Sequence, residues 1–163
     1  MRKPGVKAIV CRKGKILLIL RDNDSTIAYP NKWNLPGGGI EAGEAPEMAM
    51  RRELEEEINL KDLQLMYVGT TTYSEGSLVY RFFCEVTDEQ FANIKLGSEG
   101  QRLGWFTPDE VMAMIKEDAY SPYLAVYFEK FIEPIRLFLG GKHDIEPMDT
   151  RLEVSIEKRV TGT

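Results

Sequence analysis

Three glutamates of this 163-residue chain, Glu53, Glu56 and Glu57, are spaced so that they fall on one side of a single helix. Like charges at this spacing destabilise an isolated helix by roughly 0.2–0.5 kcal/mol per pair, and a divalent cation would turn that repulsion into attraction. Because the candidate ligands are all oxygens, and neither Cys nor the single His143 has a partner ligand nearby in sequence, Mg²⁺ or Mn²⁺ fits better than Zn²⁺. The pattern therefore predicts a carboxylate metal site, with a solvated acidic helix face as the alternative.

The residues in front of this helix favour a ligand site over a solvated face. Gly37, Gly38 and Gly39 are consecutive and let the backbone approach a ligand closely, and Glu44 lies near the entrance of the helix. The whole segment reads Gly38, five residues, Glu44, seven residues, Arg52-Glu53-Leu54, one residue, Glu56-Glu57, one residue, Asn59-Leu60.

This spacing resembles the signature of the Nudix hydrolase family, whose last glycine is replaced here by Asn59. Asn also tolerates the left-handed conformation that ends many helices, so we expect the loop-helix-loop geometry to survive. A chance match at the six charged or glycine positions is on the order of 10⁻⁴ for this composition. Residues 33–38 resemble the family's usual lead-in and Trp105-Phe106 its later passage from strand to helix, so the resemblance covers about residues 6–116.

The resemblance implies an α/β fold, namely a Nudix-type α/β/α sandwich with a mixed, partly barrel-like sheet and here an added C-terminal helix. It also implies a Mg²⁺-dependent hydrolase, with Mn²⁺ as a substitute, in which water attacks phosphorus in a nucleoside diphosphate derivative. We expect a nucleoside triphosphate as substrate, an oxidised purine nucleotide being one candidate; ADP-ribose or a sugar nucleotide is the alternative. The alternative hypothesis is a binding module that senses a nucleotide without cleaving it. The intact glutamate cluster disfavours this hypothesis.

The resemblance also assigns roles to residues. Glu53, Glu56 and Glu57, with the carbonyl of Gly38, are the expected metal ligands. Glu99 lies in a loop where some family members that cleave nucleoside triphosphates place a further metal-binding carboxylate, although it also fits a plain loop position. Glu53 and Glu99 are both candidates for the general base, and sequence does not separate them.

Arg52 and Glu44 are expected to act near the chemistry by holding neighbouring carboxylates in position. The candidates for substrate contact are Arg21, Trp33, Gly37, Gly38, Gly39, Glu44 and Phe82, with Tyr29 a further aromatic candidate for base stacking. For Arg21 a solvated strand end is the alternative, and for the aromatic residues it is the core.

Apolar periodicity predicts the elements that carry these residues. We expect a hairpin of residues 6–11 and 15–20, a helix over 46–58, a long hairpin of 63–73 and 77–86, a strand at 102–106, a capped helix from Thr107, and a helix over 121–139 bent by Pro134. The last helix faces the core; alternatively, this helix or the tail after it forms a homodimer interface. Residues 1–140 are then one domain, and residues 141–163 a polar extension whose weak alternation at Leu152, Val154 and Ile156 fits an appended strand or a loosely held tail.

Composition limits the kinds of partner and the compartment that we expect for this chain. Lys plus Arg number 21 against 26 Asp plus Glu, a net charge of −5 that argues against duplex nucleic acid and leaves a small-molecule nucleotide as the expected partner. Cys11 and Cys84 lie in apolar runs and fit buried free thiols in a reducing compartment. The longest unbroken apolar run, residues 16–20, is too short for a membrane helix, so we expect a cytoplasmic protein.

Overall fold

Two antiparallel hairpins supply most of the central sheet in the computed structural model, which describes residues 3–154. The strands are β1 (Gly5–Arg12), β2 (Lys15–Leu20), β3 (Trp33–Asn34), β4 (Gly37–Gly39), β5 (Met66–Tyr73), β6 (Leu78–Glu85), β7 (Arg102–Phe106) and β8 (Thr150–Leu152). The helices are α1 (Pro46–Ile58), α2 (Asp88–Asn93), α3 (Pro108–Lys116) and α4 (Pro122–Leu139).

The sheet is mixed, with strand order β3-β2-β1-β6-β5-β8, while β4 pairs with β1 and β7 with β2. Strands β1 and β6 run parallel, as do β5 and β8, and the other pairs are antiparallel. Lys13 and Gly14 form the two-residue turn of the first hairpin, and both have the positive φ that its tight geometry requires. Within the described chain, the path of paired strands does not close into a barrel.

Helices cover both faces of the sheet, which confirms the predicted sandwich. Because side chains alternate along a strand, Val6 and Ala8 of β1 pack with α1, whereas Ile9 packs with α3 and α4. The α1 side of the core includes Met50 and Leu54, both fully buried. The helix carrying the acidic signature is thereby fixed against the same strand that β4 joins.

Helix α1 has the predicted bounds because its end signals are strong. Pro46 is its first residue, and Asn59 ends it in the left-handed conformation at φ 56° and ψ 35°. The Asn59 side chain also donates from Nδ2 to the carbonyl of Asn93, 2.9 Å away. That bond ties the end of α1 to the end of α2.

Helix α4 is bent, as Pro134 predicts. Its backbone leaves helical geometry at Phe131, where φ is −113° and ψ is 21°, because a proline removes one helical hydrogen bond and crowds the preceding turn. Tyr127 and Phe128 are fully buried, so the described part of this helix faces the core.

The chain beyond α4 joins the sheet. Strand β8 pairs in parallel with β5, and Met148 is only 4% exposed, with its backbone N–H donating to the Val68 carbonyl. Ile156, the last residue of the predicted alternation, lies outside the described residues. In residues 3–154 no helix is both long and apolar enough to cross a membrane.

Candidate functional site

The glycine strand β4 brings the backbone against the acidic helix. A side chain at Gly37, where φ is 140°, would place its Cβ 2.0 Å from the Val6 carbonyl oxygen of β1. At Gly38 the same atom would lie 2.6 Å from Oε1 of Glu53. The consecutive glycines are therefore required by close approach, first to a neighbouring strand and then to a carboxylate.

Arg52 organises the entrance of the site. Its guanidinium donates to both carboxylate oxygens of Glu44, from Nε at 2.8 Å and from Nη2 at 2.9 Å, and to Oε1 of Glu53 at 3.0 Å. Nη2 also donates to the Gly39 carbonyl at 3.0 Å. Hydrogen bonds from Arg52 lower the pKa of Glu44 to about 2, so this pair stays charged and fixes the glycine loop to α1.

Glu57 is held inside the site. Its Oε1 accepts a hydrogen bond from the Gly37 backbone N–H at 2.8 Å. Burial raises the pKa of Glu57, and the neighbouring Glu53 raises it further, while the positive charge of Lys7 and the Gly37 N–H oppose that shift. Burial is thus the main reason that the protonated form of Glu57 is favoured.

Lys7 is a site residue that the sequence analysis did not identify. Its ammonium donates to the carbonyls of Leu35 at 3.1 Å and Gly37 at 3.2 Å. Burial lowers the pKa of Lys7, and Glu57 opposes that shift. The available signal was a lysine inside an apolar strand, where a charged side chain needs a partner.

A cavity of about 480 Å³ is lined by most of the predicted site residues. Its ionisable lining residues are Lys7, Arg21, Asp22, Glu53, Glu57 and Glu99. Glu99 reaches it from the loop before β7, where the Gly100 N–H donates to Asp22 Oδ2 at 3.2 Å. Asp22, two residues after the end of β2, was not predicted as a site residue.

Glu56 occupies a more open position than the other two helix glutamates. Its side chain is 61% exposed and lies 3.5 Å from Nη1 of Arg52. Of the predicted metal ligands, the structure therefore brings Glu53, Glu57, Glu99 and Gly38 to the same cavity. Within residues 3–154, no three His, Cys, Asp or Glu side chains are arranged closely enough to hold a metal ion.

The donor set nevertheless fits a hard divalent cation. Glu53 and Glu57 supply carboxylate oxygens, the ligand type that such a cation prefers. The Gly38 backbone lies directly beside Glu53. These residues could hold a divalent metal ion.

A second cavity of about 280 Å³ adjoins the first. The two share Lys7, Arg21, Asn34, Gly38 and Gly39. Tyr29, Tyr73, Tyr123 and Arg81 line the second cavity, which we call the inner pocket. Trp33 and Phe82, two of the predicted substrate contacts, are instead 8% and 4% exposed and belong to the two halves of the core.

Comparisons with known proteins find relatives in sequence and in fold. A nucleoside triphosphatase NudI of Escherichia coli is 29% identical over 123 residues, which span 65% of this chain and 85% of that protein. An RNA pyrophosphohydrolase of Actinobacillus succinogenes is 43% identical over 70 residues, 41% of this chain but only 32% of that protein. The crystal structure of a Nudix hydrolase from Nitrosomonas europaea has the same fold, with a TM-score of 0.62 at 21% identity, covering 93% of this chain and 78% of that one.

The family model described as the NUDIX domain matches residues 1–127, a stretch that contains the glycine strand, the acidic helix and the Glu99 loop. That match covers well over half of the chain. The chain belongs to the Nudix hydrolase family.

Proposed function

We propose that this chain is a Mg²⁺-dependent pyrophosphohydrolase that cleaves a phosphoanhydride bond of a nucleoside triphosphate by attack of water on phosphorus. The observation that carries the proposal is the cavity that combines the carboxylates of Glu53, Glu57 and Glu99 with the cations of Lys7 and Arg21. Carboxylates suit a divalent cation, and the cations suit the phosphate oxygens of a substrate.

We assign the metal to Glu53, Glu56, Glu57 and Glu99 with the carbonyl of Gly38. When bound, Mg²⁺ would supply charge neutralisation for the phosphates and lower the pKa of water. Glu56 would have to turn inward from its open position, a change of rotamer that its exposure permits.

The chain's own residues perform the remaining tasks. Lys7 and Arg21 bind and orient the phosphates, and Arg52 holds the carboxylate of Glu53 in place. Glu53 or Glu99 accepts the proton of the attacking water. Gly37 N–H fixes the carboxylate of Glu57, so that it need not reorganise during the reaction.

The names of the relatives support a substrate with a polyphosphate chain, since one is a nucleoside triphosphatase and the other an RNA pyrophosphohydrolase. Within this class we favour nucleoside triphosphates, with oxidised purine nucleotides among the candidates. ADP-ribose and sugar nucleotides are the alternative substrates.

A substrate panel tests the proposal. Purified protein is assayed for release of phosphate and pyrophosphate from the common nucleoside triphosphates, an 8-oxopurine triphosphate, ADP-ribose and a sugar nucleotide, with Mg²⁺, Mn²⁺ or EDTA. We expect hydrolysis only with a divalent cation and faster at alkaline pH. Full activity in excess EDTA would refute the metal dependence. Binding of a nucleotide without turnover would indicate a nucleotide-sensing module instead of an enzyme.

Glu53→Gln and Glu55→Gln form a matched pair for this assay. Both substitutions remove one charge from α1, but Glu55 is exposed and only pairs with Lys61 at 3.7 Å. We expect Glu53→Gln to lower turnover by at least about a hundredfold and Glu55→Gln to leave it unchanged.

A further inference from the structure

Arg81 is a buried cation whose described hydrogen-bond partners are all neutral. It is 4% exposed, and it donates from Nε to Thr71 Oγ1 at 3.2 Å and from Nη2 to the Tyr73 hydroxyl at 2.5 Å. Its guanidinium carbon lies 3.9 Å from the ring centroid of Tyr127. A buried guanidinium without a carboxylate is unfavourable unless further acceptors complete its surroundings, and in residues 3–154 no carboxylate lies within ion-pair distance of it.

The inner pocket is the place from which such acceptors can come. Arg81 lines this pocket, and the two bonds named above use Nε and Nη2 rather than Nη1. A guanidinium carries five N–H donors in a planar fork, so hydrogen bonds remain to be made on the Nη1 side. Among the described residues that line the pocket there are four cations and no carboxylate: Lys3, Lys7, Arg21 and Arg81.

The rest of the lining favours a flat ring over a phosphate group. Tyr29 and Tyr123 meet edge to face with ring centroids 5.8 Å apart, and Tyr73 and Tyr123 do so at 4.9 Å. Leu78 and Val79 add apolar surface. Aromatic and aliphatic walls suit the faces of a heterocycle, whereas a phosphate would lose its hydration against them.

The connection between the two cavities determines which part of a nucleotide lies in each of them. Lys7 and Arg21 line both cavities, and Glu53 and Glu57 line only the first among the described residues. A nucleotide whose phosphates lie near the carboxylates would therefore place its base in the inner pocket, with Arg81 at the ring edge.

We propose that Arg81 is a specificity-determining residue that selects purine nucleotides with a carbonyl group at position 6, such as guanine or hypoxanthine. This proposal rests on the proposed function for the placement of the phosphates. The O6 and N7 atoms of these bases are adjacent acceptors that match a guanidinium fork, whereas adenine offers a donor at N6 beside N7. Thr71 and Tyr73 position the fork through neutral hydrogen bonds that leave its charge uncompensated.

Binding of IMP and AMP, measured by calorimetry in EDTA, tests the proposal without any turnover. The two ligands carry the same phosphate and differ at position 6 of the base. We expect IMP to bind at least about tenfold more tightly than AMP, the discrimination typical of one bidentate contact. Equal affinities, or no measurable affinity for IMP, would overturn the proposal, whatever the substrate panel shows.

Three variants locate the preference. We expect Arg81→Met to reduce the IMP/AMP ratio to within about threefold, and Arg81→Lys to lose most of it because a lysine keeps the charge but not the fork. Arg136→Met is the control. Arg136 lies near the end of α4, where it pairs with Asp109 at 2.6 Å, and it does not line the inner pocket. We expect this variant to retain the wild-type IMP/AMP ratio. The ratio is insensitive to the fraction of folded protein, because unfolding removes both affinities equally.

Binding of inorganic phosphate shows whether Arg81 contacts the base or a phosphate group of the nucleotide. If Arg81→Met melts like wild type and yet weakens IMP, AMP and phosphate by the same factor, Arg81 binds a phosphate group and the proposal is wrong. If IMP is preferred while the triphosphates are not hydrolysed, the base assignment stands and the proposed hydrolysis fails. With active protein we expect kcat/KM for ITP and GTP to exceed that for ATP by the same factor.

Discussion

Glu57 combines a hydrogen bond that favours its charged form with surroundings that disfavour it. The Gly37 N–H stabilises the carboxylate, but burial and Glu53 raise its pKa. A carboxyl group whose pKa is raised in the folded state binds its proton more tightly there than in the unfolded chain. The contribution of Glu57 to the free energy of unfolding therefore falls as the pH rises above its unfolded pKa of about 4.3.

Glu57→Gln tests this balance at the level of one side chain. The amide keeps the size and an acceptor oxygen for Gly37, so we expect the metal-free variant to melt at the same temperature as wild type near pH 4. Its Tm should become higher than that of wild type as the pH rises towards neutrality.

With Mg²⁺ the order should reverse. If wild type binds the ion at about 1 mM, about 10 mM Mg²⁺ stabilises it by roughly 1.4 kcal/mol, and the variant should lose most of that gain together with its turnover. Melting curves with and without Mg²⁺ make the measurement. Equal Mg²⁺-induced shifts in both proteins would show that Glu57 holds no metal.

The signature residues were predictable from sequence because their spacing is local, whereas Lys7 and Arg81 were not. Each of these cations interrupts an apolar strand, and the strand pattern alone does not say which groups surround it. Trp33 and Phe82 show the converse. For these strand aromatics the sequence left base stacking and the core as alternatives, and both side chains lie in the core. Their assignment required the tertiary fold.

At the level of elements, the ends of α1 are set by signals that can be read directly. Pro46 begins the helix and Asn59 ends it, as predicted. Helix α2 was missed, although Thr87 and Gln90 form the reciprocal capping box that marks its start. It has only 6 residues, too few to show a helical period.

Asn59→Gly measures what the amide contributes beyond its backbone conformation. Gly adopts the same left-handed geometry, but the hydrogen bond from Nδ2 to Asn93 is lost. We expect a stability loss below about 1 kcal/mol and activity within a few-fold of wild type. A hundredfold fall in turnover would show that this side chain takes part in the chemistry.

The loop after α2 returns to the acidic helix at Gly97. Its N–H donates to the Glu57 carbonyl at 2.8 Å, and an added Cβ would lie 2.2 Å from the Glu56 carbonyl oxygen. Gly97 precedes Glu99 by two residues. This contact therefore links the Glu99 loop to the helix that carries Glu53 and Glu57. The convergence of Glu99 with α1 depends on this packing, which no local sequence pattern reports.

Gly97→Ala should therefore disturb both stability and activity. We expect the clash to cost more than about 1 kcal/mol and to lower turnover at least tenfold, because the backbone itself must move. Gly140→Ala is the matched control: an added Cβ there meets its nearest atom at 3.4 Å and φ is −81°. Denaturant melts and steady-state assays compare the two, and equal behaviour would refute a positioning role for Gly97.

On the scale of the whole molecule, the segment beyond α4 contributes to the core. The sequence predicts either an appended strand or a loosely held tail, and in the structure strand β8 pairs with β5. The alternation was weak because this strand has only 3 residues. The boundary at residue 140 remains a proposal about domain organisation.

Met148→Ala tests how firmly this segment is integrated. Met148 is 4% exposed, whereas Met48 on α1 is 64% exposed. We expect Met148→Ala to lower the free energy of unfolding by about 2–5 kcal/mol and Met48→Ala to change it by less than about 0.5 kcal/mol. Chemical denaturation followed by fluorescence measures both, and a small effect at Met148 would mean that the tail is peripheral.

The parallel pairing of β1 with β6 also governs how the protein is made. Gly5 pairs with Val79 and Cys11 with Glu85, so β1 leaves the ribosome well before its partner strand β6 has been synthesised. At about 5–20 residues per second, that wait lasts several seconds, during which an apolar strand edge is open to other chains. Synthesis rate and chaperone supply, rather than equilibrium stability, should then limit the yield of folded protein in a fast expression host.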